Sequence, residues 1–400
     1  MPEPAVLVLE NVHQTLPIVR SLGRARVRVV LGVATDRPND ARWSRYVTER
    51  WAHPPIREFD RFAAALKTFC QTRDDIQAIF PSGEQLRKTA LIHNYRFPVP
   101  VVGVQDDVFV ACRDKVQANE LARRAGLRVP ITRRVDNLAD LKTAVTDIGL
   151  PVILKPYGEQ YTVAGNKATI LKAPGDLDAA FPTWPEANAS LLVQEYISGP
   201  VESADFVARQ GQVVGYCEAT SVRTDNPDGT GFGVMFKSQA PSGDLLQATR
   251  RFAETSAYDG PGIIQFIRCE QSGALYFLEN NPRLSAGVAT SIQWGQDIPL
   301  FAVENTLPQL NAHSRARFDE AANPYEYDSL CYWFQRDVTA YLAKRKRLTA
   351  AERGRWASDI RSSLRQANYD VVWEKGDPLP ALAMMGGQVL RKAKRTLRLN

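Results

Sequence analysis

The sequence predicts an α/β protein of two or three packed units, and three observations carry that expectation. Short apolar, β-rich runs at 5–10, 27–33 and 76–80 alternate with amphipathic helical stretches such as 59–70. That alternation is the pattern of a parallel, doubly wound sheet. Further along, 203–208 and 212–219 alternate around Gly211, and 262–266 and 275–283 flank a polar turn at 268–273. These read as hairpins of an antiparallel, α+β unit. A length of 400 residues exceeds what one core normally serves.

Composition narrows the function classes. The 44% hydrophobic and 24% charged fractions are those of a soluble globular chain with a sizeable core. No run of 18 apolar residues occurs, and Met1-Pro-Glu-Pro lacks a basic leader, so a cytoplasmic protein is expected. Five scattered cysteines without a C-x-x-C pair argue against a zinc site or a disulfide frame, and four scattered histidines against a His-based metal centre. The net charge of +6 is modest, but Arg391, Lys392, Lys394, Arg395 and Arg398 crowd the last ten residues. Residues 381–400 carry no aromatics to stack on bases, so no nucleic-acid partner is expected.

Each element has its own signal. After the first strand, Glu10-Asn11-Val12-His13-Gln14 contains no glycine and is no dinucleotide fingerprint; residues 18–22 then read as helix. Ligands of parallel sheets bind at the carboxyl ends of strands, which makes Glu10, Asn11, His13 and Glu84 candidate substrate contacts. An ordinary cap or turn role suits each of them equally. A helix over 113–125 ends at Gly126, and a second covers 138–148. The strand 150–156 ends in Lys155-Pro156, a lysine that either snorkels to solvent or faces an anion. A polar loop (157–167), a return strand (168–172), a strand over 191–197, a glycine-bearing loop (225–233) and a helix (245–258) follow.

The hairpin 262–283 is the most specific feature. Gln265 and Glu279 lie on neighbouring apolar strands, and Asn281 follows Glu279 at strand period. Three oxygen ligands aimed at one point, with Arg283 beside them, suit Mg²⁺, which usually also binds nucleotide phosphates. The plain alternative is a hairpin whose polar ends face water.

Taken in order over roughly 5–310, these segments resemble the ATP-grasp superfamily, and within it the carboxylate–amine ligase and carbamoyl phosphate synthetase-like members. The resemblance implies that Lys115, in Arg113-Asp114-Lys115, and Lys155 are the two ATP lysines. It implies that Glu195, Tyr196 and Ile197 form the adenine hinge and that Glu202 bonds the ribose. Gln265, Glu279 and Asn281 match the metal ligands for one or two Mg²⁺ ions, with Mn²⁺ a workable substitute. Arg283 matches the arginine near the transferred phosphate and the substrate carboxylate. Catalytic roles accordingly fall to Arg283 and Lys155. The implied reaction activates a carboxylate as an acylphosphate and joins it to an amine; it needs no enzyme nucleophile. A thiol or carrier acceptor, or a scaffold with reduced catalysis, are the alternatives.

Two departures from the family pattern stand out. Gln265 is neutral where many members have a carboxylate, and the 157–167 loop has only Gly158 and Gly165 to close over phosphates. On the acceptor side, Arg223 either binds a carboxylate or is a surface arginine, and Ser285 can shape the acyl pocket. The expected organisation is an N-terminal Rossmann-like domain (1–110), an ATP-grasp domain (111–310, lid about 150–200) and a helical basic extension (311–400). Within the extension, 327–344 and 350–367 read as helices, and 377–380 breaks the chain before 381–399. That last segment is either a helical cap or an interfacial helix at the inner face of an anionic membrane. The second would suit a glycan-linked substrate, and a homodimer is compatible with both.

Overall fold

The computed structural model describes residues 3–37, 39–157, 168–180, 184, 190–226, 231–310 and 325–386. In chain order, β1 (Ala5–Leu9), α1 (Thr15–Arg24), β2 (Arg28–Ala34), β3 (Glu49–His53), α2 (Phe59–Gln71), β4 (Ile76–Pro81), α3 (Gln85–Ile92) and α4 (Asp106–Arg113) come first. Then follow α5 (Lys115–Arg124), β5 (Thr132–Val135), α6 (Leu138–Ile148), β6 (Val152–Pro156), β7 (Thr169–Leu171), α7 (Pro174–Ala180) and β8 (Leu191–Glu195). Next are β9 (Val201–Arg209), β10 (Gln212–Thr224), β11 (Gly233–Ser238), α8 (Gly243–Thr255), β12 (Gly260–Arg268) and β13 (Leu275–Asn281). The chain closes with α9 (Ala289–Gln293), α10 (Ile298–Thr306), β14 (Leu330–Tyr332), α11 (Phe334–Lys344), α12 (Ala350–Gln366) and β15 (Tyr369–Asp370). These elements divide into two compact units, Met1–Cys112 with Glu202–Ile264 and Asn280–Asn400, and Arg113–Val201 with Gln265–Glu279.

In the larger unit, β1 pairs in parallel with β2 and β4, and β2 with β3, giving the order β3-β2-β1-β4. All five residues of β1 are fully buried because its two faces serve different cores. Val6 and Val8 pack with Leu16, Ile18 and Leu22 of α1, whereas Leu7 and Leu9 pack with Phe62 and Leu66 of α2. An uninterrupted apolar run is what a parallel strand covered on both faces requires. Strand β3 escapes a sequence reading, since Glu49-Arg50-Trp51 carries little apolar signal and pairs through its backbone.

A second sheet has the order β13-β12-β9-β10-β11-β14-β15. The β9–β10 hairpin turns at Gln210 and Gly211, both with positive φ (50° and 83°), as a two-residue hairpin turn demands. The C-terminal extension is not wholly helical, contrary to expectation. Residues 330–332 pair with β11 and with β15, so the helix predicted from 327 begins only at Phe334. Leu-Cys-Tyr is as apt a sheet edge as a helical turn, and the waiting strand decides it. The final helix starts at 379, with Pro380 in its first turn, where a proline is tolerated. Buried Arg20 of α1 ties this extension down: its guanidinium donates to Asp377 Oδ2 at 2.9 Å, to the Asp377 carbonyl at 2.7 Å and to the Val372 carbonyl at 2.8 Å.

The smaller unit holds the antiparallel sheet β5-β8-β6-β7, with α6 on the apolar face of β6 and β8. Helix α6 matches its sequence bounds, because Asn137 caps its start and Gly149, at φ 84°, ends it. The expected helix over 113–125 is instead interrupted at Asp114, whose side chain accepts from the amides of Val116 and Gln117 and caps α5.

Candidate functional site: a two-lysine phosphate site and an oxygen-ligand hairpin

Strand alternation sets Lys155. Val152 and Leu154 point into the core beneath α6, so Ile153 and Lys155 take the other face. There the Lys155 ammonium donates to Gln194 Oε1 at 2.8 Å, and Gln194 Nε2 donates to Thr132 Oγ1 at 2.9 Å. Lys115 reaches the same strand end from the first position of α5, donating to the Pro156 carbonyl at 2.8 Å. Tyr157 closes this corner by donating to Asp114 Oδ2 at 2.7 Å. Burial pushes the Lys155 ammonium down to about 8; the Glu279 carboxylate opposes that shift and the nearby charge of Lys115 adds to it. Two ammonium groups that feel each other beside one carboxylate give this corner a positive local field.

The hinge residues lie at the end of β8, an inner strand of this sheet. Glu195 Oε2 accepts from the Ile131 amide at 3.1 Å, and the Glu195 amide donates to the Ile131 carbonyl at 2.8 Å. The Tyr196 amide donates to the Pro151 carbonyl at 3.2 Å, and Ile197 is buried. A turn at 198–200 then grips the hairpin tip, with Glu270 N bonding the Ser198 carbonyl at 2.9 Å and Arg268 N the Pro200 carbonyl at 3.0 Å. Gly199 has φ 155°, and a Cβ there would sit 1.8 Å from the Arg268 carbonyl oxygen, so only glycine allows this approach.

The hairpin faces are set by burial. Phe266 and Phe277 meet edge to face at 6.0 Å, which leaves Gln265 on the opposite side of β12 from the rings. In β13 Phe277 is buried and Glu279 exposed, and the buried Asn280 amide donates to Cys112 Sγ at 3.3 Å and to Tyr258 Oη at 3.4 Å. Among the described residues no three His, Cys, Asp or Glu side chains gather as a metal site. The hairpin carries one carboxylate, Glu279, and amides at Gln265 and Asn281, oxygen groups of the hard-donor type.

In the larger unit, Arg283 Nε donates to Glu84 Oε1 at 2.9 Å and its Nη1 to the Leu284 carbonyl at 3.0 Å, joining two predicted site residues. Ser285 Oγ donates to Asp205 Oδ2 at 2.9 Å. Burial pushes the Asp205 carboxyl up to about 6 against the Ser285 hydrogen bond and the charge of Arg283. Sequence reading passed over Asp205 and Gln194, although a polar residue inside Ala204–Ala208 or at the end of the Leu191–Val193 run is a usable signal. Glu202 lies on β9 opposite Thr220.

Other candidates are engaged elsewhere. Glu10, at φ 74°, accepts from the amides of Gly83 (2.7 Å) and Leu86 (3.1 Å) and so caps α3. Arg223 is spent on Asp337 and on Ser363 Oγ at 3.0 Å, an internal ion pair rather than a free cation. His13 meets Trp333 edge to face at 4.8 Å, and burial with the charge of Arg336 lowers its pKa. The loop residues 158–167, with Gly158 and Gly165, and the basic residues 391–398 lie outside the described residues. No described helix is long and apolar enough to cross a membrane.

Residues 187–326 match the family described as ATP-grasp in the biosynthetic pathway with Ter operon. The chain is 26% identical over 230 residues to the carbamoyl phosphate synthase large chain of a Thermotoga species, covering 54% of this chain and 21% of the relative. It is also 26% identical over 236 residues to the D-alanine–D-alanine ligase of Paracidovorax citrulli, covering 58% and 65%. The chain therefore spans only about a fifth of the synthase chains it matches. Among solved structures, biotin carboxylase from Campylobacter jejuni superposes with a TM-score of 0.60 at 16% identity, over 82% of this chain and 74% of that one. L-amino acid ligase from Bacillus licheniformis gives 0.56 at 14% identity, over 82% and 78%. The fold resembles that of these structures, and residues 187–326 with these relatives make the chain similar to ATP-grasp proteins.

Proposed function

We propose that the protein is an ATP-dependent ligase that joins a carboxylate to an amine, releasing ADP and phosphate. The observation that carries this reading is the pair Lys115 and Lys155 beside Glu279, with Lys155 pushed down to about 8 by burial. Point charges so placed fit the α- and β-phosphates of a nucleotide. The hinge at Glu195, Tyr196 and Ile197 would take the adenine and Glu202 the ribose. Gln265, Glu279 and Asn281 would hold Mg²⁺, which offsets phosphate charge when bound.

The chemistry asks little covalent help from the protein. A substrate carboxylate oxygen attacks the γ-phosphorus, the bond to ADP breaks, and an acylphosphate forms. The amine then attacks the acyl carbon, loses a proton, and phosphate leaves. Arg283, oriented by Glu84, would hold the carboxylate and the transferred group through the first step. Fixed charges aimed at a moving phosphoryl group supply most of such catalysis. The relatives named D-alanine–D-alanine ligase and L-amino acid ligase support an amide-type bond.

The parallel sheet fits a Rossmann-like first domain (1–110), followed by the ATP-grasp domain (111–310). A cytoplasmic location and a homodimer fit the same reading. The test is release of ADP and phosphate across a panel of carboxylates and amines with ATP and Mg²⁺. One acid–amine pair should trigger both products, and Glu279→Ala should abolish them. Nucleotide binding without turnover across a broad panel would sink the ligase reading, and full activity of Glu279→Ala would sink the metal assignment.

A further inference from the structure

Within the larger unit lies a cavity of about 700 Å³, in the range of roughly 300–1,000 Å³ that small-molecule sites occupy. It opens at the carboxyl end of β1, where Asn11 and His13 follow the strand, a position at which parallel sheets bind ligands. Its opposite wall comes from α11, the 371–372 segment and Met384. That wall belongs to the C-terminal extension, beyond the reach of the family match at 187–326.

The wall chemistry is two-sided. Leu16, Trp333, Val372 and Met384 give an apolar lining. Arg37, Arg336 and Lys344 face Asp40 and Asp225, three cations against two carboxylates. Asp225 is already used, accepting from Arg336 through Oδ2 at 3.0 Å, while its carbonyl accepts from Lys344 at 2.8 Å. Its negative charge is therefore matched inside the wall, and the balance toward the cavity is positive. Arg336 also lies over the Phe232 ring at 4.0 Å and the Trp333 ring at 5.2 Å, which fixes the guanidinium beside the apolar surface. His13 packs edge-on to Trp333 at the same place.

We propose that this cavity binds an amphipathic small molecule, a carboxylate on an aromatic or branched apolar body, and that the C-terminal extension builds the site. The apolar body packs against Trp333 and Met384, and the carboxylate meets the Arg336 and Lys344 side. Binding here does not depend on the ligase reading; only the use of the bound molecule as the acid substrate does.

The test uses the full chain without nucleotide. Histidines are selectively ¹⁵N-labelled, and N-acetylphenylalanine, 3-phenylpropionate and their neutral amides serve as probes. With four histidines in the chain, His13 is assignable through His13→Gln. The carboxylates should bind roughly tenfold more tightly than the amides, the scale of one charge-assisted contact. They should also raise the His13 pKa, which Arg336 and burial hold low in the free protein. Ala340→Trp, which fills the cavity, should abolish binding, and Arg37→Gln should weaken it while nucleotide binding to Lys115 and Lys155 persists. Equal binding of acids and amides, or a His13 resonance unmoved by every probe, would overturn the proposal. Loss of ADP release with the His13 shift intact would count against the ligase reading alone.

Discussion

Four arginines of the larger unit and the lysines at the end of β6 in the smaller one use different hydrogen-bond partners. In the larger unit Arg20, Arg223, Arg283 and Arg336 each meet a carboxylate, from Asp377, Asp337, Glu84 and Asp225 respectively. In the smaller unit Lys155 hydrogen-bonds to a neutral amide and Lys115 to a backbone carbonyl. A matched guanidinium holds elements together, whereas burial and a like charge hold the Lys155 ammonium low. At Arg20 and Arg223 the carboxylate partner marks a cation that holds elements together, whereas Arg283 and Arg336 keep a carboxylate partner within candidate sites.

The sharpest way to break that comparison is Arg20→Ala. It strands Asp377 without its cation in a buried network, and unfolding in urea should report a loss of about 3–5 kcal/mol. Lys155→Met should act in reverse. Turnover should fall by about 10²–10³, or ~3–4 kcal/mol, while the melting temperature holds or rises because a charge leaves a desolvating site. A comparable stability loss in both variants would erase the distinction.

Next in size is Arg223→Ala, expected to cost about 2 kcal/mol. Its partner Asp337 keeps Tyr332 Oη at 2.6 Å and Trp356 Nε1 at 2.7 Å as donors. Chemical denaturation measures this directly, and an unchanged midpoint would return Arg223 to the substrate candidates.

The pH response of Lys155 sharpens the contrast further. Its folded pKa of about 8 lies below the ordinary 10.5, so between those values the unfolded chain binds more protons than the folded one. The stability penalty of the buried charge is full below pH 8 and is relieved as pH rises through that window. Nucleotide affinity should move the other way, falling as the ammonium deprotonates above pH 8. Titration calorimetry from pH 7 to 9.5 should show that decline in the native protein and a flat profile in Lys155→Arg. The smallest expected effect is Thr349→Ala, which removes the capping box with Glu352 at the start of α12 and should cost about 1 kcal/mol. Thermal melting is the readout, with nucleotide affinity unchanged.

Much of the lysine region was legible because local rules suffice there. Val152-Ile153-Leu154-Lys155-Pro156 alternates cleanly, Asn137 and Gly149 mark the ends of α6, and the hairpin 262–283 announces itself by two apolar strands about a polar turn. The larger unit was less legible because its functional geometry is long-range. Glu84 and Arg283 are 199 residues apart, and Arg20 and Asp377 are 357 apart. No window on the sequence brings such pairs together. Residues 330–332 read as helix because their apolar content satisfies either period, and only the edge of β11 makes them a strand.

By itself, then, the sequence determined the alternation of strands and helices, the two lysines at element ends and the oxygen-bearing side chains on one hairpin. Period, caps and turn chemistry act over a few residues and need no partner. Tertiary structure alone decided which cations were neutralised, which carboxylates were buried, and that the extension walls a cavity with the loop after β1. Those outcomes depend on desolvation and on groups hundreds of residues away, and burial sets their free energy only once the chain has closed.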